Sequence, residues 1–186
     1  MLAGHFDADT HVDVMFSAGL GSSGATATVL LGDGTGGFPA SRHLVMPYTN
    51  VPLSRLVWIA LDADGDEDVV AVKTFNMLAL LQNDGAANFW RTEVGTGVSI
   101  LAVATADFDG DGRADFVAVG TDFSAGGYAY TVYRSTGAAV FIHLKTGALS
   151  GEGWSVVAGD VNGDGAPDII VGGAGGCLDV LLAKNY

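Results

Sequence analysis

The sequence predicts an all-β fold made of about four small antiparallel sheets, and three observations carry that prediction. Four acidic segments with one carboxylate spacing recur at residues 5–13, 60–68, 107–115 and 160–168. Each leads directly into a short run rich in β-branched and aromatic residues: VMF at 14–16, VVAV at 69–72, FVAV at 116–119 and IIV at 169–171. Glycine supplies 28 of the 186 residues, about twice the usual ~7%, without a collagen period and without helical periodicity. Short apolar runs bounded by glycine and polar residues read as strands, and so many glycines mark many tight turns between them.

The acidic segments read HFDADTHVD, ALDADGDED, DFDGDGRAD and DVNGDGAPD in chain order. In this frame oxygen-bearing side chains fall at loop positions 1, 3, 5 and 9, and a glycine usually follows position 5, where the backbone turns sharply. Hard oxygen donors at alternate positions of a tight loop suit Ca²⁺, with position 7 adding its main-chain carbonyl. Clusters of thiolates or imidazoles, which favour zinc or copper, are absent.

The third and fourth loops are the two strong candidates. Their expected ligands are Asp107, Asp109, Asp111, Asp115 and the Arg113 carbonyl, and Asp160, Asn162, Asp164, Asp168 and the Ala166 carbonyl. The second loop has Ala60 at position 1 and is a weaker candidate through Asp62, Asp64, Asp68 and the Asp66 carbonyl. The first opens on His5, a poor Ca²⁺ ligand, and has Thr10 in place of the glycine, which leaves Asp7, Asp9, Asp13 and the His11 carbonyl. The imidazoles of His5 and His11 are read as solvent-facing rather than ligating.

A helical EF-hand or dockerin loop needs a carboxylate at position 12. Here that position is Ala118 or Val171, so the loops feed strands. The competing reading is a set of metal-free Asp/Gly turns, since both residues favour turns. Charge distribution opposes it. Of 18 aspartates, 14 sit in the four loops, so practically all of the net charge of −13 is packed where like charges repel unless a cation lies between them.

Each unit lays out as a strand entering the loop, a strand leaving it, a third strand, a tight turn and a fourth strand. In the third unit these are residues 99–106, 115–119, 128–133 and 140–144. The turn supports the register independently, because GDGTGGF at 32–38, NDGAANF at 83–89 and STGAAVF at 135–141 align. Four strands in about 50 residues predict a β-propeller-type array of four-stranded antiparallel blades. Val70, Val72, Val117, Val119, Ile169 and Val171 are expected in its core. Repeats at about 1–50, 51–97, 98–150 and 151–186 make one domain. The first and last units are expected to be incomplete: the opening strand has only residues 1–4, and residue 186 comes where sibling units turn into their last strand. That favours a fragment of a longer propeller or a protomer completed by neighbours.

The motifs ADFDGDGRADFVAV at 106–119 and VLLGDGTGGF at 29–38 resemble the FG-GAP/VCBS repeats of integrin-α-like propellers, over nearly the whole chain. The resemblance implies calcium at Asp107, Asp109, Asp111 and Asp115 and at Asp160, Asn162, Asp164 and Asp168. It also implies an extracellular or cell-surface location, with which loops that fill at millimolar calcium agree.

Function classes narrow by elimination. A chain this acidic, with no Lys/Arg cluster, argues against nucleic acid and anionic membranes. No apolar run approaches the ~18 residues of a membrane span. The first residues lack the basic start and apolar stretch of a signal peptide, and the chain is read as mature or trimmed. Cys177 is single and is expected to pack as a small apolar side chain.

Gly19–Gly24 satisfies GxGxxG, yet a strand-like ATATVLL follows where a dinucleotide site needs a helix. His5, His11, His43 and His143 show no partner spacing, so neither catalytic residues nor an organic cofactor are expected. Adhesion or assembly is the expected role, with other copies of the chain, a protein or a glycan as partner; the alternatives are a protomer of an extracellular fibre or lattice, and a lectin-like carbohydrate-binding module or accessory domain of a secreted enzyme. The longer second-to-third strand connections of units one and three are candidate recognition loops, with Phe123, Tyr128 and Tyr130 in or beside one of them. Packing is the competing role for Tyr128, Tyr130 and tryptophans 58, 90 and 154.

Overall fold

The computed structural model describes residues 1–20, 24–46, 54–62 and 64–183. Four antiparallel meanders follow one another along the chain, in a propeller-like array. The first sheet orders β1 (Leu2–Gly4), β2 (Asp13–Leu20), β3 (Gly24–Leu31) and β4 (Ala40–Met46). The second has β5 (Ser54–Ile59), β6 (Asp68–Thr74), β7 (Met77–Asn83) and β8 (Phe89–Gly95). The third has β9 (Ser99–Ala106), β10 (Asp115–Asp122), β11 (Gly127–Ser135) and β12 (Phe141–Ala148). The fourth has β13 (Gly153–Gly159), β14 (Asp168–Gly173) and β15 (Leu178–Leu181), with one 3-10 turn at Ala174–Gly176. The acidic loops connect the first strand of each sheet to the second, and each ends on the aspartate that starts β2, β6, β10 or β14. None of them leads into a helix.

Strand limits in the third sheet correct one expectation. Residues 115–119 and 128–133 were to be strands with a long loop between them, but β10 runs on to Asp122 and β11 begins at Gly127. The extra length is strand, paired from Phe116↔Tyr133 to Asp122↔Gly127, and only residues 123–126 form the turn. Gly120 marks a bulge, where pairing with β9 slips between Val119 and Gly120. The corresponding connection of the first sheet, residues 21–23, lies outside the described residues, and so does part of the Gly19–Gly24 motif. The segment after that motif is strand β3, as a non-nucleotide reading requires.

The chain divides into two compact units, Met1–Thr74 with Leu78–Glu93, and Phe75–Met77 with Val94–Tyr186. In the first, the buried core joins Met15, Ala27 and Val29 of one sheet to Val69, Ala71, Ala79 and Leu81 of the next. Phe6 is fully buried there, stacked on Trp58 with ring centroids 5.2 Å apart and edge-on to Phe89 at 5.8 Å. In the second, Val117, Val119, Tyr130 and Val132 meet Val156, Ile169 and Val171.

The two cores follow one rule. Counting from the start of each acidic loop, the leading sheet contributes odd positions (Met15; Val117, Val119) and the following sheet even ones (Val69, Ala71; Ile169, Val171). Residues of the other parity are buried as well, Val70 and Val72 in the second sheet and Phe116 and Ala118 in the third, so VVAV and FVAV are continuous apolar runs rather than alternating ones. The expected core residues Val70, Val72, Val117, Val119, Ile169 and Val171 are all buried, each worth about 1.5–3 kcal/mol. Among the described residues no helix is long and apolar enough to cross a membrane.

Candidate metal centre

Position 9 is the most constrained place in every loop. Asp13, Asp68, Asp115 and Asp168 are completely buried. Each uses one carboxylate oxygen to accept the amide of loop position 2: Phe6 at 2.9 Å, Leu61 at 2.6 Å, Phe108 at 2.8 Å and Val161 at 3.1 Å. The other oxygen accepts an amide at or just past the end of the third strand, from Gly32 at 2.8 Å, Asn83 at 2.8 Å, Ser135 at 2.7 Å and Ala183 at 2.8 Å. The aspartate thus staples the loop to the far end of its own sheet. Two charge-assisted bonds offset the cost of taking a carboxylate out of water. Burial pushes the Asp115 carboxyl above the usual carboxylate range, and pushes Asp68 up to about 6.

Positions 3, 5 and 7 form a relay in which each side-chain oxygen accepts the amide two residues on. Asp7 takes Asp9 and Asp9 takes His11; Asp62 takes Asp64 and Asp64 takes Asp66. Asp109 takes Asp111 and Asp111 takes Arg113; Asn162 takes Asp164 and Asp164 takes Ala166. Where position 1 is aspartate, it closes the turn as well. Asp107 accepts the amides of Gly110, Asp111 and Gly112, and Asp160 those of Asn162, Gly163, Asp164 and Gly165. Those bonds, chiefly from Gly165 and Gly163, hold the Asp160 carboxyl below its ordinary range. Gly112 and Gly165 at position 6 have φ of +85°, a conformation costly for residues with a β-carbon. Thr10, at the same place in the first loop, is not among the positive-φ residues, so that loop turns differently.

The third loop brings three carboxylates to one point: oxygens of Asp107, Asp109 and Asp115 all lie within 4.8 Å of one another. An all-oxygen donor set of three carboxylates in a tight turn fits a hard cation and can hold a metal. Asp111, expected beside them, is instead paired with Arg113, whose Nη1 lies 3.1 Å from its carboxylate. A second guanidinium, that of Arg134 on β11, reaches Asp109 at 3.3 Å. The cleft beside this loop, about 630 Å³, is also lined by Asp164, Gly165 and Ala166 of the fourth loop.

No such three-carboxylate convergence occurs in the other loops among the described residues. In the second, Gln82 donates to Asp62 at 3.1 Å; Ala63 lies outside the described residues. In the fourth, Asn162 donates its side-chain amide to Asp164 at 3.2 Å. In the first, the His11 ring sits 3.2 Å from Asp9, and His5 donates its main-chain amide to Glu67 of the second loop. The staple at position 9 and the arginine pairing were not read from sequence. The staple did leave a signal, since positions 5 and 9 are the two places where all four loops have the same residue, aspartate. Arg134 lies 27 residues after the start of its loop and left none.

The aromatic expectations divide. Tyr130 is buried and packs over Gly147, and Trp58 belongs to the Phe6 core. Phe123, Trp90 and Trp154 are exposed. Cys177 is a free, half-buried thiol beside Gly151.

Repeated meander sheets opened by acidic, aspartate-stapled loops define a β-propeller-like repeat protein. A family model described as FG-GAP-like repeat matches residues 61–118 and 119–171, more than half of the chain, and the chain belongs to that family. The matched units begin at a loop or within a second strand, so the family's repeat is offset from the sheet. No curated protein matches the sequence.

Proposed function

We propose that this chain is a non-catalytic, extracellular, calcium-stabilised repeat protein serving adhesion or assembly. The observation that carries the reading is the convergence of Asp107, Asp109 and Asp115 in a loop whose remaining oxygens are ordered by the turn. Family membership supports it, because FG-GAP repeats are often calcium-binding, generally non-catalytic and usually found in extracellular proteins. Asp107, Asp109 and Asp115 are the primary ligands, with the Arg113 carbonyl, and Asp111 once it leaves the Arg113 guanidinium, completing the third site. Asp160, Asn162, Asp164, Asp168 and the Ala166 carbonyl form the fourth, and the first two loops are weaker sites. The test is thermal unfolding of metal-loaded protein before and after chelation. Calcium is expected to add roughly 3 kcal/mol per site at a hundredfold excess over Kd. An unchanged melting temperature on chelation overturns the reading.

Adhesion has a candidate surface at the tip of the third sheet. Phe123 is 80% exposed in the β10–β11 turn, beside a cleft of about 280 Å³ lined by Asp122, Tyr128 and Thr146. An aromatic ring beside hydroxyl and carboxylate groups suits a glycan. A glycan array tests it, with loss of any hit in Phe123→Ala. For assembly the partner is a second copy of the chain. Light scattering in millimolar calcium, and again after chelation, tests that version: a mass unchanged by calcium removes it.

A further inference from the structure

The residue before each stapled amide sits at one structural place, at or just past the end of the third strand: Leu31, Gln82, Arg134 and Leu182. In two sheets this side chain reaches the same carboxylate, that of loop position 3. Gln82 Nε2 donates to Asp62 Oδ2 at 3.1 Å, and Arg134 Nη1 donates to Asp109 Oδ2 at 3.3 Å. The other two sheets place leucine there. The loop with the fullest carboxylate set is therefore the one given a fixed positive charge from its own sheet.

We infer that Arg134 is an affinity-determining residue, a resident counter-charge that competes with the cation for Asp109, so that the third loop fills at higher calcium than its carboxylates alone would set. This rests on the calcium reading above. Two further observations support it. Arg134 Nε is buried without a hydrogen-bond partner while the side chain as a whole is 41% exposed, so one edge of the guanidinium is packed at the loop and the other faces water. Arg113 neutralises Asp111 in the same loop, so two of its four carboxylates already face a guanidinium. A fixed positive charge a few ångströms from a divalent ion lowers its affinity by roughly tenfold even with solvent screening. The same charge keeps the cation-free loop from repelling itself apart. Calcium would then leave and enter this loop without unfolding it.

Two reciprocal substitutions test the idea: Arg134→Gln, which gives the third loop the second loop's residue, and Gln82→Arg, which does the opposite. Calcium titration, with terbium luminescence as a second probe, is read beside melting temperature in chelator and in millimolar calcium. Arg134→Gln is expected to tighten one class of site roughly tenfold, to lose that gain when combined with Asp109→Asn, and to lower the melting temperature in chelator only. Gln82→Arg should weaken one class by a similar factor. Arg42→Gln in the first sheet removes the same charge away from the loop and should change neither. Arg134→Gln binding that equals or falls below wild type, with wild type binding normally, overturns the proposal and leaves the calcium reading standing. No calcium or terbium binding by either protein removes both together.

Discussion

Asp115 and Asp111 stand four residues apart in one loop, yet the structure gives them different work. Asp115 holds two main-chain amides in a buried place, whereas Asp111 faces Arg113 at the surface. Asp115→Asn is expected to cost about 2 kcal/mol or more even in chelator, because its amide group would face a buried N–H donor. Asp111→Asn should cost well under 1 kcal/mol there, and urea unfolding in EDTA separates the two. Equal losses would contradict the staple. Asp68 adds a pH dependence. Burial raises its carboxyl to about 6 against the opposing amides of Asn83 and Leu61, with the charges of Asp62 and Asp64 pushing the same way. An acid with a folded pKa above its unfolded value holds its proton more tightly in the fold. Its stabilisation is full below about pH 4 and is lost as pH rises through about 6. Cation-free protein should therefore melt at a higher temperature near pH 5 than near pH 7.5, with a shallower slope in Asp68→Asn. A flat wild-type profile would refute that. At this scale the sequence displayed the carboxylate spacing and hid the pairing, because Arg134 comes from a strand whose register only the sheet defines.

The strands show how local chemistry and packing share control. Ala138 and Ala139 occupy left-handed backbone at φ of 51° and 55° in the β11–β12 turn, where the repeat pattern puts small residues. Ala138→Gly is expected to raise stability by up to about 1 kcal/mol, since glycine takes that conformation without strain; a fall in melting temperature would contradict it. Gly120 is the opposite case. A β-carbon there would overlap the Ser99 carbonyl oxygen at the bulge, and main chain cannot step aside as a flexible side chain can. Gly120→Ala should cost about 2–4 kcal/mol, read by chemical denaturation. Element order and the strand following each loop were legible from the short apolar runs. The extent of β10 and β11 was not. Residues 120–122 and 127 include glycine and polar residues that read as loop, and only cross-strand pairing to Gly127 and Tyr128 makes them strand.

For the whole molecule the decisive quantity is where the charge sits. Most of the −13 belongs to four turns, so cation-free protein carries concentrated self-repulsion that salt relieves. Sodium chloride is expected to raise its melting temperature between about 10 mM and about 500 mM, over the same interval by less in millimolar calcium. A salt effect equal in both conditions would mean the loops do not take up the cation. The sequence by itself determined the repeat, the loop-then-strand order, the all-β class and the apolar character of both blade faces, because each follows from spacing and side-chain type within a few residues. Tertiary structure alone decided which face of each sheet meets its neighbour in the two cores. It also decided that position 9 is a buried staple, and that Asp107, Asp109 and Asp115 converge while Asp111 is drawn off by an arginine. The faces and the staple depend on pairing across tens of residues and the convergence on how the turn folds, so burial and geometry rather than local preference select the partner.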